Sequence, residues 1–278
     1  MDFDYKEGDR PLVGFGTWRI PPGEAATVVC AAIEAGFRLI DTAYAYENEE
    51  QVGAALKASR TNRTELLISG KLWNTFRSKK AAKDACKNSL RHLNIDYFDA
   101  FLIHWPASAA VHADWAQINA ETWQAMEELQ SDGLARVIGV SNFKMHHLQE
   151  LEKTAQVFPQ IDQIEYHPGM RQLQTVEYCG NKGVAVQGWS PLGNGKMLRH
   201  PLLQELAGKY QITTAQLCIA WCVQNNVLPI VKTKHIERMR ENLQAVRRRL
   251  SEEDKRKIDE LPFFAGSHLD PDTITIFG

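Results

Sequence analysis

Short apolar runs alternate with longer amphipathic stretches along almost the whole chain of 278 residues. Most of the short runs are nearly continuous in valine, isoleucine and leucine, which is typical of strands buried on both faces. The predicted strands are Val13–Phe15, Arg38–Asp41, Leu66–Lys71, Ala100–His104, Val137–Ser141, Gln160–Glu165, Val184–Trp189 and Val227–Lys232. The amphipathic stretches predict helices over Gly23–Ala35, Glu49–Ala58, Lys79–Leu93, Asn119–Gln130, Lys144–Lys153, Thr214–Gln224 and Ile236–Val246.

Crossover helices between buried strands favour parallel pairing. Eight strand units without a linker predict one α/β domain over residues 1–278, closed as a (β/α)8 or TIM barrel, for which ~250 residues are typical. An open doubly wound sheet is the alternative, weakened because no G-x-G-x-x-G turn follows a strand, and length alone would also allow two domains. We further expect a short hairpin around Gly8-Asp9, a late helix after Ser251 and a C-terminal tail.

Composition limits the possible partners and the compartment. Lysine and arginine number 32 and acidic residues 34, so the net charge of −2 gives no reason to expect nucleic acid or an acidic membrane surface as a partner. No run approaches the ~20 apolar residues of a membrane span. The N-terminus is charged where a secretory signal would be apolar, and the odd, scattered cysteines fit reduced thiols, so we expect a cytoplasmic protein. Cys218 and Cys222 are interpreted as small buried residues, since further metal ligands are not nearby in sequence.

Polar residues stand where several predicted strands end. Asp41, Lys71 and His104 close the second, third and fourth strands, and Tyr46 follows in the next loop. A (β/α)8 barrel assembles its active site at this end. Each group would be costly alone in an apolar interior. We therefore expect the four to lie together.

These four residues suit chemistry at a carbonyl group. A free tyrosine has a pKa of about 10, and a neighbouring ammonium favours its phenolate, so Lys71 is expected to make Tyr46 more acidic. Asp41 would keep Lys71 charged, while His104 would orient a carbonyl oxygen. Such a site stabilises negative charge on oxygen as hydride arrives. Taken singly, the same residues could be a structural ion pair, a core histidine and a packed tyrosine; only their joint placement favours catalysis.

Three separated motifs resemble the signatures of the aldo-keto reductases, in particular the short microbial-type members related to aldehyde and aldose reductases. They are Gly36–Ala43 followed by Glu49–Gly53, then Val137–Phe143, then Ile230–Thr233 with Arg238, Glu241 and Asn242 behind it. By this resemblance Asp41, Tyr46, Lys71 and His104 form the catalytic tetrad. The resemblance also implies a monomeric, NADPH-dependent oxidoreductase that converts small aldehydes or ketones to alcohols.

The resemblance implies a cofactor that lies across the barrel top. The implied cofactor-binding residues are Gly16, Thr17, Trp18, Asp41, Ser141, Asn142, Gln163, Trp189, Ser190, Pro191, Leu192, Gly193, Lys232, Thr233, Lys234, Arg238, Glu241 and Asn242. Trp189 would stack on the nicotinamide ring. The basic side chains of Lys232, Lys234 and Arg238 suit a 2′-phosphate, which favours NADPH over NADH. For Lys234 a solvated helix start is an equal alternative.

The implied substrate-binding residues are Trp18, Tyr46, Trp73, His104 and Trp105. Such an aromatic wall accepts apolar carbonyl compounds, although each tryptophan could simply be packing. The loop Pro106–Gln117 and the tail Phe263–Gly278 would set specificity. A non-catalytic relative that binds NADPH as a sensor or stabiliser is the second hypothesis. An unrelated barrel hydrolase is a third, but it would need a metal cluster or carboxylate pair that the sequence does not show.

Overall fold

The computed structural model describes residues 12–275, and within them the chain forms a closed barrel of eight parallel strands. Each strand pairs with the next in sequence, and the first also pairs with the eighth, with Gly14 beside Ile230 and Phe15 beside Val231. The predicted (β/α)8 barrel is therefore confirmed, and the open sheet is excluded. The expected hairpin around Gly8-Asp9 lies outside the described residues.

Strands and helices alternate around the barrel. The strands are β1 (Gly14–Gly16), β2 (Leu39–Asp41), β3 (Leu67–Leu72), β4 (Phe98–Ile103), β5 (Ala135–Ser141), β6 (Ile161–Glu165), β7 (Ala185–Trp189) and β8 (Val227–Val231). Within residues 12–275 the α-helices are α1 (Pro22–Ala35), α2 (Glu49–Ala58), α3 (Lys79–Leu93), α4 (Trp115–Ser131), α5 (Met145–Glu152), α6 (Leu173–Lys182), α7 (Pro201–Lys209), α8 (Thr214–Gln224), α9 (Ile236–Ala245) and α10 (Glu252–Asp259). None of these described helices is long and apolar enough to cross a membrane.

The strands are apolar on both faces because each face meets a different part of the core. Inside the barrel, Ala100 and Leu102 of β4 pack with Val137 and Ile161 of the next two strands. On the outer face Phe101 belongs to the large cluster that the helices cover. This double burial explains the continuous apolar runs, in contrast to the alternation seen when one face meets water.

Local sequence signals fix several helix ends. The hydroxyl of Ser251 accepts a hydrogen bond from the amide of Asp254, and α10 begins at the next residue, which confirms the predicted late helix. The hydroxyl of Thr213 caps α8 in the same way, accepting from the amide of Gln216. Inside α8, Cys218 and Cys222 are buried free thiols, as expected.

Two helices were not among those predicted from sequence. Helix α6 buries only Thr175 and Cys179, so its apolar pattern is too sparse to indicate a helix. Helix α7 has nine residues and starts at Pro201, one residue after the 3-10 turn Met197–Arg199. Helix α4 also begins four residues before the predicted Asn119, because Trp115 and Ala116 add little to its apolar face.

Candidate active site

A buried ion pair lies at the carboxyl end of the barrel. Asp41 ends β2 and Lys71 lies near the end of β3, and they are only 3% and 1% exposed. The ammonium nitrogen of Lys71 donates to both carboxylate oxygens of Asp41 at 2.6 Å and to the carbonyl oxygen of Thr42 at 3.2 Å. Burial lowers the pKa of Lys71, and the carboxylate of Asp41 opposes that shift. Removing either partner would leave an uncompensated buried charge.

Tyr46 lies above this pair in a short 3-10 turn, Tyr44–Tyr46. The ammonium of Lys71 donates to its hydroxyl at 3.4 Å. Contrary to the expectation that Lys71 makes the phenol more acidic, burial raises the pKa of Tyr46 well above its ordinary value, and the carboxylate of Asp41 adds to the shift. The ammonium of Lys71 does not outweigh burial, because it lies 3.4 Å from the Tyr46 hydroxyl and only 2.6 Å from the Asp41 carboxylate. The phenol is therefore protonated at neutral pH, which is the form that can donate a proton.

His104 follows β4 directly and lies beside Tyr46, with the two ring centroids 5.7 Å apart. Its Nδ1 is buried and has no hydrogen-bond partner among the residues described. Burial, together with the positive charge of Lys71, lowers the pKa of His104 well below its ordinary value. A neutral imidazole can donate one N–H to a carbonyl oxygen without adding charge to the site.

A chain of hydrogen bonds joins the ion pair to the opposite strands. The side-chain amide of Gln163 donates to Asp41 Oδ1 at 2.9 Å and to Gln187 Oε1 at 2.9 Å. The hydroxyl of Ser141 donates to the carbonyl oxygen of Gln163 at 2.6 Å. Gln187 was not identified from sequence. Its only sequence signal is a polar side chain among the apolar residues of β7. Before the fold is known, that signal does not tell whether the side chain points into the barrel or towards the helices.

Asn142 extends this chain of hydrogen bonds. Its backbone is left-handed, with φ of 64°. Its amide nitrogen donates to the carbonyl oxygen of His104 at 2.9 Å, and its amide oxygen accepts from the indole nitrogen of Trp189, also at 2.9 Å. The half-buried indole of Trp189 is thereby fixed in orientation at the end of β7. The structure thus brings Ser141, Asn142, Gln163 and Trp189 into one connected group.

A tight turn follows Trp189. Ser190 and Gly193 both have positive φ, of 51° each, and the amide of Gly193 donates to the carbonyl oxygen of Ser190 at 2.8 Å. Pro191 is buried and Leu192 half-buried within this turn. The residues predicted to bind a pyrophosphate therefore form a compact turn at the carboxyl end of the barrel.

Of the three predicted phosphate-binding cations, one forms an ion pair in the structure and two remain exposed. The ammonium of Lys234 pairs with the carboxylate of Glu24 on α1 at 2.7 Å, so part of its charge is already neutralised. Lys232 and Arg238 are exposed and form no ion pair with any residue that the structure describes. Thr233 lies between the two lysines and its hydroxyl accepts from the amide of His235. Two free cations beside a hydroxyl fit the donor set that a phosphate monoester requires.

The last two predicted cofactor residues lie on α9. Asn242 is 5% exposed, whereas the backbone carbonyl of Glu241 accepts a hydrogen bond from the side chain of Gln216 at 3.0 Å. These contacts attach α9 to α8. The side chain of Glu241 is half-buried, one helical turn after Arg238.

The end of β1 is anchored by Asn48, which the sequence analysis missed. Gly16 pairs with Asp41, and the hydroxyl of the buried Thr17 donates to that of Thr42 at 3.0 Å. The amide of Asn48 donates to the carbonyl oxygens of Thr17 and Ile20, each at 3.0 Å. Its only sequence signal is its place directly before α2.

The three tryptophans predicted to contact substrate differ in exposure. Trp73 is half-buried, and its ring centroid is 5.1 Å from that of His104. Trp18 is 40% exposed, with the guanidinium of Arg19 4.2 Å from its ring. Trp105 is only 5% exposed, so most of its surface is packed within the protein. Trp73 therefore lies directly beside the tetrad.

Comparison with known proteins identifies the family. Residues 12–262 match the model of the aldo/keto reductase family. The chain is 39% identical to glyoxal reductase of Bacillus subtilis (strain 168), over 91% of this chain and 89% of that protein. It is also 39% identical to methylglyoxal reductase DkgA of Escherichia coli (strain K12), over 94% and 92% of the two chains. The crystal structure of MGS-M4, an aldo-keto reductase from a Medee basin deep-sea metagenome library, superposes with a TM-score of 0.90, at 32% identity and covering 96% of each chain.

The barrel fold and the family match define an α/β-barrel oxidoreductase that acts on aldehydes or ketones. The chain belongs to the aldo-keto reductase family, as the match over most of its length shows. Members of this family use a nicotinamide cofactor, and their substrates are small carbonyl compounds.

Proposed function

We propose that the protein reduces aldehydes and ketones to alcohols with NADPH, and that Tyr46 is the proton donor. The observation that carries this proposal is the buried set at the barrel mouth: the Tyr46 hydroxyl is 3.4 Å from an ammonium that is itself fixed by Asp41, with His104 beside it. The most similar relatives include proteins named for the reduction of glyoxal and methylglyoxal, which supports small aldehydes as substrates.

Each residue of the set has a distinct part in this reaction. When bound, NADPH supplies a hydride to the carbonyl carbon. The neutral phenol of Tyr46 gives its proton to the carbonyl oxygen as negative charge develops there. The ammonium of Lys71 then stabilises the phenolate that remains, and Asp41 holds that ammonium in place. His104, kept neutral by burial, hydrogen-bonds the same oxygen and sets its direction.

The residues present fit the cofactor. Ser141, Asn142 and Gln163 would hold the carboxamide, with the amide oxygen of Gln163 as an acceptor, and Trp189 offers an oriented aromatic face. Gly16, Thr17 and Trp18 would border the nicotinamide end. The turn Ser190–Gly193 would bind the pyrophosphate, with Lys232 and Arg238 binding the 2′-phosphate. Their lack of an ion pair within residues 12–275 supports NADPH over NADH.

Replacing Tyr46 by phenylalanine tests the proposal. The variant lacks the proton donor but keeps the ring, so we expect kcat for an aromatic aldehyde to fall by about 10²- to 10⁴-fold. Binding of NADPH, followed by fluorescence titration, should stay within about twofold of the wild type, because the hydroxyl is used in the chemical step. A variant that keeps most of its turnover would remove Tyr46 from this role.

We further propose that the protein is a monomeric, single-domain cytoplasmic enzyme. All five cysteines are free thiols, and burial raises the pKa of Cys86 and Cys218 to about 12, so these two are inert. Free buried thiols are typical of a reducing compartment. Light scattering after gel filtration would test the monomer against the chain mass of 31.5 kDa.

A further inference from the structure

Gln187 of β7 is a buried polar side chain that has no part in the proposed reaction. It is 0% exposed and pairs with Gln163 in the register of β6 and β7. The side-chain amide of Gln163 donates one hydrogen bond to Gln187 Oε1 and another to Asp41 Oδ1, so both glutamines point into the barrel. Gln187 is thus linked to the ion pair of the candidate site through a single side chain.

These two hydrogen bonds fix the orientation of the Gln163 amide. A carboxylate that is paired with a lysine only accepts hydrogen bonds, so the nitrogen of the amide, and not its oxygen, must face Asp41. The bond to Asp41 alone would leave the amide free to turn about that contact. The second bond, in which Nε2 donates its other hydrogen to Gln187 at 2.9 Å, fixes the plane of the amide.

The oxygen of the Gln163 amide is the atom left for a ligand. Within residues 12–275 this side chain hydrogen-bonds through its nitrogen alone. Neighbouring polar groups are already engaged: Asn142 Oδ1 accepts from the indole nitrogen of Trp189, and the hydroxyl of Ser141 donates to the backbone carbonyl of Gln163. Gln163 Oε1 is therefore an acceptor that the site can offer to an N–H group of a ligand.

We propose that Gln187 is a positioning residue of the cofactor site: it holds the amide of Gln163 so that Oε1 accepts a hydrogen bond from the amine of the nicotinamide carboxamide. This inference rests on the proposed function, because it requires a nicotinamide bound at Ser141, Asn142 and Gln163. Gln187 acts through Gln163, and its effect is on recognition of the dinucleotide and not of the aldehyde.

A purely structural role is the alternative, in which the two glutamines only satisfy each other's buried amides. The two roles predict different results. A structural role changes the stability of the folded protein and affects related ligands alike. A positioning role changes the affinity for ligands that carry the N–H group and spares ligands of the same shape that lack it.

Two dinucleotides of nearly the same shape separate these roles. NADP+ and its 3-acetylpyridine analogue differ in one group, the amine of the carboxamide against a methyl group, so the analogue has no N–H to donate. The measured quantity is the ratio of Kd for the analogue to Kd for NADP+, obtained by calorimetric titration, which needs no turnover. In the wild type the ratio should be about 5 to 20, because the analogue leaves an acceptor unpaired.

In the variant Gln187→Met the ratio should fall by about 3- to 10-fold, since the side chain keeps its length but no longer accepts from Gln163. Gln187→Glu keeps an oxygen acceptor at the same position and should keep the wild-type ratio. The matched control is Gln224→Met, which makes the same change on α8, where the side chain bonds to the backbone of Leu250. In the control the ratio should stay at the wild-type value.

A double-variant cycle tests whether Gln187 acts through Gln163. In Gln163→Met the acceptor itself is removed, so the ratio should lie near one. Adding Gln187→Met to that variant should leave the ratio unchanged and should weaken NADP+ no further, because the residue that Gln187 positions is already absent. A second loss of affinity for NADP+, as large as that in Gln187→Met alone, would indicate the structural role instead.

An equal ratio in the wild type and Gln187→Met would overturn the inference, as would a wild-type ratio near one or a loss in Gln187→Glu as large as that in Gln187→Met. Should Gln187→Met not fold, Gln187→Leu repeats the measurement. If the wild type binds neither dinucleotide, the proposed function fails and this inference fails with it. Normal binding of NADP+ together with an unchanged ratio refutes this inference alone.

Discussion

Asp162 is a buried acid outside the active site, on β6 next to Gln163. It is 0% exposed, and no side chain among the residues described donates a hydrogen bond to its carboxyl oxygens. Burial raises the pKa of Asp162 well above its ordinary value, with only partial opposition from the backbone amide of Phe143. The neighbouring strand position, Gln163, points into the barrel, so Asp162 points to the opposite face, away from the ion pair of the candidate site.

The substitution Asp162→Asn should therefore stabilise the protein. Because the folded-state pKa lies above the unfolded one, the folded state binds more protons, and stability falls as the pH rises from the unfolded value towards the folded one. At pH 8 we expect the variant to be more stable by about 1–3 kcal/mol, and this gain should shrink at pH 4. Urea unfolding at both pH values measures it. The exposed control Asp96→Asn should change little, and a gain at pH 4 as large as that at pH 8 would contradict the prediction.

At the scale of elements, the site depends on strand ends and on hydrogen bonds between them. Asp41 on β2 and Gln163 on β6 face each other across the barrel and are joined directly at 2.9 Å. Asn142, after β5, connects the backbone of His104 to the side chain of Trp189. Every link runs between rigid elements, so the donors are held in place before any ligand arrives.

The proposed preference for a phosphorylated cofactor rests on the segment from β8 to α9. Arg238 is exposed on α9 and forms no ion pair with the described residues, so Arg238→Ala should weaken NADPH binding by about 10-fold or more, the usual range for a charged hydrogen bond. NADH, which has no 2′-phosphate, should be affected much less. Fluorescence titrations with both cofactors measure the two losses. Arg240→Ala on the same helix is the control, and equal losses for NADPH and NADH would show that Arg238 does not contact that phosphate.

At the scale of the whole molecule, the sequence predicts the repeating strand and helix units. It does not predict the contacts between residues that lie far apart along the chain. Apolar runs that end in Asp41, Lys71 and His104 predict both the barrel and the polar group at its mouth. The pairing of Lys234 with Glu24 could not be predicted, because it joins the first helix to the loop after the last strand. The direction of the pKa shift of Tyr46 was wrong for the same reason: it depends on how deeply the phenol is buried and on how closely Asp41 pairs with Lys71.

Steady-state turnover by the unmodified protein tests the central claim most directly. With NADPH and a small aldehyde such as methylglyoxal, the absorbance of NADPH should fall only when the aldehyde is present, and one molecule of alcohol should form for each NADPH oxidised. Tight binding of NADPH without any aldehyde-dependent oxidation, across a panel of aldehydes and ketones, would contradict the account and indicate a protein that binds the cofactor without using it.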